Sequence, residues 1–341
     1  LETLARIVRV GRAESISLHS LLLPLLIQVL GKGDEETCGF SDALTLWLAL
    51  IRNTQTYSED LNRLFLQCIS SWIQRGEAAQ NQQITRDLLL ITQAYVVIGN
   101  QQFLLHCGTC VMQLVETMLI QLSARSVPWI MKPIEALLIC CPVSLVGSIL
   151  CESKVLQRMM RACVASHTDF TSFSEYYESD IALLEYFHII LRFLCYDGGS
   201  IIQSTAESVA AIVKVSGITL LKAIIRQILD KFDNLGSGGL NTCRRKVWAI
   251  GLLSLYPTND DILISWLPEI LVIVDSLLCQ LESDDPDELE PHALALELLS
   301  FEDGVLDEAG GDISENGDST LLGEAGREPI IDLLMQVLPS D

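Results

Sequence analysis

The chain has 341 residues, half of them apolar and only 19% charged, with a net charge of −22 and a mean hydropathy of +0.37. So much apolar material is ample for a large core, and the acidic balance excludes direct nucleic-acid binding through phosphate contacts. Eleven cysteines, nearly all on apolar stretches, with no secretory leader at the start, read as reduced core thiols rather than a disulfide framework.

Nothing reads as a strand, and helical spacing runs along most of the chain. Helices are predicted near residues 2–10, 15–30 and 41–53. From Leu61, the residues Leu64, Phe65, Cys68, Ile69 and Trp72 follow at i+3, i+4, i+7, i+8 and i+11, one stripe of a helix that Gly76 is expected to stop. Further helices are predicted over 81–98, 100–123 and 128–140. The uncharged run Ala136–Cys151, interrupted by Pro142, falls short of the ~20 residues a bilayer requires, so it reads as a buried helix, a turn and the next helix. No membrane insertion is expected.

Helices over 152–165, 179–195 and 200–213 come next. Between Ile181 and Leu194 the only charges are Glu185 and Arg192, so neighbours should cover this helix on both sides. From Leu221, the stripe Ile224, Ile225, Ile228, Leu229 and Phe232 has Ser216 as its N-cap. A helix over 243–256 opens on Arg244, Arg245 and Lys246 and packs through Val247, Trp248, Leu252 and Leu255. The next, 262–281, starts from a capping box of Thr258 and Asp261 and presents Leu263, Trp266, Leu267, Ile270, Val274, Leu277 and Leu278.

Helix pairs recurring at roughly 40 residues predict an all-α HEAT/armadillo-type helical-repeat superhelix, an alpha-alpha solenoid, over residues 1–281. Because Leu1 already lies inside a helical pattern, this array is expected to be the C-terminal fragment of a longer one. Residues 282–329 carry sixteen Asp or Glu against a single Arg, broken by glycines and prolines, and are expected to be a disordered acidic insertion with a short helix near His292–Ser300. Residues 330–341 should form a short terminal helix, whose apolar segment Ile330–Leu338 can return to the solenoid.

Chemical motifs are sparse. Cys107 and Cys110 beside His106 resemble half of a zinc or redox site, but no second ligand pair has matching spacing, and they read as helix interior. Cys140 and Cys141 likewise read as structural, and His188, in a strongly apolar helix, as a satisfied core residue. There is no Gly-rich phosphate loop, nucleophile elbow or HExxH helix. No enzyme, no cofactor and no metal is expected.

Partner binding has two candidate sites. Glu175, Tyr176, Tyr177 and Glu178 combine aromatics with acid ahead of a helix, either as a cradle for a basic extended peptide or as a charge cluster complementing the helix dipole. Glu282, Asp284, Asp285, Asp287, Glu288 and Glu290 form a dense negative segment that attracts basic proteins or solubilises an apolar array. The trio Arg244, Arg245 and Lys246 offers an intramolecular latch for that segment.

Two stretches carry a family resemblance. Asp42-Ala-Leu-Thr-Leu-Trp47-Leu, after the Leu-Leu-Pro24-Leu-Leu helix, and Arg244-Arg245-Lys246 followed by Gly251-Leu-Leu-Ser-Leu-Tyr-Pro257-Thr-Asn-Asp260 resemble passages of the importin-beta superfamily of nuclear transport receptors (karyopherins), and within it the importin-11 type. The resemblance implies the C-terminal part of a receptor that binds basic cargo proteins for import into the nucleus. It further implies release of cargo under control of the Ran GTPase, passage through nuclear pore proteins, and shuttling between cytoplasm and nucleus. The principal Ran site of such receptors belongs to N-terminal repeats, so no Ran-contact residue is assigned in this chain. The other reading is a HEAT-repeat scaffold subunit of a large protein assembly with no transport role.

Overall fold

The computed structural model describes residues 1–31, 39–54, 56–75, 82–196, 198–232, 239–256 and 260–283. Among them there is no strand. The helices are α1 (Glu2–Gly11), α2 (His19–Leu30), α3 (Phe40–Arg52), α4 (Glu59–Arg75), α5 (Gln82–Gln121), α6 (Val127–Cys140) and α7 (Val143–Glu152). They continue with α8 (Val155–Val164), α9 (Asp180–Cys195), α10 (Gly199–Ile212), α11 (Gly217–Lys231), α12 (Gly239–Leu253), α13 (Asp261–Ser265) and α14 (Leu267–Ser283). Three 3₁₀ segments, Arg12–Leu18, Ala124–Ser126 and Thr168–Tyr176, lie between them; the first takes residues 12–18 out of the helix expected over 15–30.

The helices stack in two layers. One runs α1, α3, the first half of α5, α6, α9 and α12, each touching the next; α2, α4, the second half of α5, α7, α8, α10 and α11 form the other. This is the helical-repeat solenoid that the periodicity predicts. The first layer is the more deeply buried: α6 has no exposed residue, and α9 has none beyond its first turn. The near-continuous apolar sequence of α9 follows from that position, with helices on either side.

Local chemistry sets most boundaries. Ser216 caps α11 by accepting from the Thr219 amide at 3.2 Å, and Ser179 caps α9 by accepting from Ala182 at 3.4 Å. Lys154, held at φ 61°, separates α7 from α8, so the helix expected over 152–165 begins at Val155. The helix expected over 262–281 is likewise two. Pro268 has no N–H to give and its ring opposes the carbonyl of Ile264, so the chain turns at Trp266 between α13 and α14. Its N-cap is Asp260, accepting from Ile262 and Leu263 at 3.0 and 3.2 Å; Thr258 and Gly76 lie outside the described residues.

The membrane question rests on α5 rather than on Ala136–Cys151, because Leu88–Val115 is a longer run without Asp, Glu, Lys or Arg. By length and composition α5 is able to cross a bilayer, yet 61% of its most apolar window is buried inside the protein. Asn100, at φ 44° and ψ −132°, breaks it into two arms. The first arm meets α3, α4 and α6 through Tyr95 and Arg86, and the second meets α4 and α7 at Cys107, Cys110 and Gly108, so its apolar surface is spent on neighbouring helices. At the junction Trp47, Phe65, Tyr95 and Phe103 form a cluster with ring centroids 4.9–6.4 Å apart.

Candidate partner-binding surfaces and the buried charge network

The acidic–aromatic segment ahead of α9 is largely engaged by α8. Arg161 donates to the Tyr176 hydroxyl at 3.0 Å and lies 5.3 Å from the centre of its ring. Arg158, one turn earlier, donates to the Leu119 carbonyl at 3.1 Å and stands 3.8 Å from Glu178. Burial pushes the Glu178 carboxyl above its ordinary range, and Arg158 offsets part of that rise. Glu175 and Tyr177, the latter 68% exposed, remain open to solvent. Of the expected cradle, these two are what a peptide can reach directly.

Glu282 lies in the last turn of α14, its side chain outside the described residues, and Asp284, Asp285, Asp287, Glu288 and Glu290 lie outside them altogether. The basic trio is placed differently from a free latch. Arg244 binds the carboxylate of Glu185 in α9 through two nitrogens, one bond being 3.0 Å, and Arg245 stacks 5.0 Å from the Phe232 ring centre.

Between α6, α9 and α12 runs a stripe of buried charge that the sequence does not announce. Glu185, His188 and Arg192 follow at i, i+3 and i+7 on α9 and so share one face. Glu135 of α6 faces them. Its Oε1 lies 2.8 Å from His188 Nε2 and accepts from Arg192 Nη2 at 2.6 Å. All four side chains are under a tenth exposed. Burial would raise the Glu135 carboxyl, but Arg192 and His188 outweigh it and hold the carboxyl well below its ordinary range. Burial also drives the His188 imidazole down, and that loss exceeds what Glu135 restores. A neutral His188 therefore donates Nε2–H to Glu135, and Arg192 supplies the countercharge. With Glu185 and the partly buried Arg244 the stripe is two acids against two bases and internally neutral. Its chemistry is to fix the register of three successive helices.

Cys107 and Cys110 are buried in the second arm of α5, where Cys107 donates to the Asn62 side chain at 2.9 Å, while His106 faces solvent. Burial pushes the Cys107 thiol up to about 12. Among the described residues no group of three or more His, Cys, Asp or Glu is placed to hold a metal ion. An open groove between α2 and α4, lined by Ile27, Gln28, Leu66, Gln67, Ser70 and Gln74, is a further surface that periodicity alone does not reveal, because it depends on how far apart two helices sit.

A family model described as importin-11-like, TPR repeats, matches residues 1–309. No curated protein and no solved structure gives a match.

Proposed function

The chain belongs to the importin-11-like repeat family, and from that premise we propose that it is part of a nuclear transport receptor. The observation that carries this reading is the family match over residues 1–309, which spans every described helix. Two layers of helices, each touching its neighbours in sequence, support it physically. Small rotations at successive interfaces add up along such an array, and a ligand that prefers one pitch lowers the affinity of a ligand that prefers another.

In this reading the array binds basic cargo proteins and passes through nuclear pore proteins, and Ran in its GTP form governs release, so the receptor moves between cytoplasm and nucleus. The acidic segment 282–290, with Glu175 and Tyr177, supplies the attraction for basic partners. No covalent step is needed, and the protein is not an enzyme.

The test is a pull-down from cell extract on the intact receptor, with and without Ran held in its GTP form. Basic proteins that bind and are shed on adding Ran-GTP support the proposal. Partners indifferent to Ran-GTP overturn it and leave a helical-repeat scaffold. Deleting residues 282–329 then reads the acidic contribution as lost affinity for the same partners, steepest at low salt.

A further inference from the structure

The sequence of α14 is apolar on two sides, and the described structure covers one. Ile270, Ile273 and Leu277 are buried on the side that meets α12, whereas Leu271, Val272 and Leu278 are 51%, 68% and 54% exposed. Leu271 and Leu278 are two turns apart on one face, with Asp275 the only charge between them. Elsewhere in the array, helices this apolar are sandwiched: α6 touches α5 and α9, and α9 touches α6 and α12. α14 is the last helix of the described stack.

We propose that the C-terminal segment of this same chain, Ile330–Leu338, docks on the exposed face of α14 as a short helix. Ile330, Ile331, Leu334, Val337 and Leu338 recur at i, i+1, i+4, i+7 and i+8, a single helical stripe that starts after Pro329. Nine helical residues span about 14 Å, which matches the roughly 11 Å from Leu271 to Leu278. The intervening tether of roughly 45 residues is, by chain length alone, ample to reach any part of α14, which is about 26 Å long.

Geometry thus permits the return, and concentration favours it. A tether of this kind holds its end at an effective concentration on the order of a millimolar, far above that of a second copy at micromolar protein. Residues 282–329 carry sixteen Asp or Glu, which an apolar face does not solvate, so the apolar segment, rather than the acidic stretch, makes the contact.

Cys279, exposed and adjacent to Leu278, provides the probe. In the full chain carrying Met335→Cys, on the flank of the stripe, treatment with a short bismaleimide should give a cross-linked peptide joining Cys279 to the introduced thiol within one chain. Without that substitution, Cys279 should react with a maleimide about tenfold more slowly than in Leu334→Asp, as expected for a segment docked most of the time. Helical content and melting of the array, followed by circular dichroism, should fall only slightly in Leu334→Asp, which shows that the change in reactivity is not unfolding. A cross-link found only between two chains assigns the face to a second copy and overturns the proposal. Equal Cys279 reactivity with and without Leu334→Asp overturns it as well.

Discussion

Arg244 of α12 and Glu185 of α9, 59 residues apart in the chain, form a two-pronged ion pair in which the carboxylate is nearly buried. Truncating one partner strands the other's charge in a medium that solvates it poorly. Arg244→Ala should therefore destabilise the array by about 3–5 kcal/mol, and the apolar pair Glu185→Leu with Arg244→Met should recover most of that loss. Urea unfolding of the three chains measures it. An Arg244→Ala chain as stable as the parent would show that the pair holds nothing.

The Glu135–His188 contact makes stability depend on pH. In the unfolded chain the imidazole takes up a proton near its ordinary 6.5, whereas burial lowers its value in the fold. The unfolded state then binds more protons as pH drops below about 6.5, so stability falls toward acid, by up to about 1.4 kcal/mol per pH unit. Glu135, depressed in the fold from its ordinary 4.5, adds a second loss in the same direction as pH falls below that value. His188→Gln keeps a donor for Glu135 but does not titrate. Its melting temperature should decline less between pH 7 and 5.5 than that of the parent, the remaining slope coming from groups such as His19, also lowered by burial.

Tyr95 links three elements through one hydroxyl, which accepts from Trp47 Nε1 at 3.0 Å and donates to the Leu61 carbonyl at 3.0 Å. Tyr95→Phe keeps the ring in its aromatic cluster but leaves the buried indole N–H without a partner. The expected cost is about 1–3 kcal/mol, read as a lower urea midpoint with an unchanged slope.

Gly251 marks where α12 crosses α9 at close range. A methyl group there would sit 2.7 Å from the Leu191 carbonyl oxygen, a backbone atom that cannot rotate aside. Alanine is the better helix former by about 1 kcal/mol, so an unobstructed site would gain stability. Here the steric term should win, and Gly251→Ala should lower stability by about 1–3 kcal/mol in the same unfolding experiment.

Spacing alone placed the helices because an amphipathic stripe is a local property. The run from Leu61 to Trp72 carries its own period, and Ser216 and Ser179 cap the helices that follow them. The same rule misjudged the helix over 262–281, since a stripe continues smoothly past Pro268 even though the backbone does not. The two-layer repeat was legible for a related reason: an apolar stretch as long as Ile181–Leu194 needs neighbours on both sides.

What the chain did not disclose by itself was partnership at a distance. The sequence offered Arg244 and Arg245 as a basic patch for an acidic segment, and the fold spends them on Glu185 and the ring of Phe232. Glu135 and His188, 53 residues apart, likewise meet only when α6 packs against α9. A periodicity is written into residues three and four apart, whereas an ion pair depends on the rotation of two helices about their axes. That rotation is decided by the packing of every side chain between them.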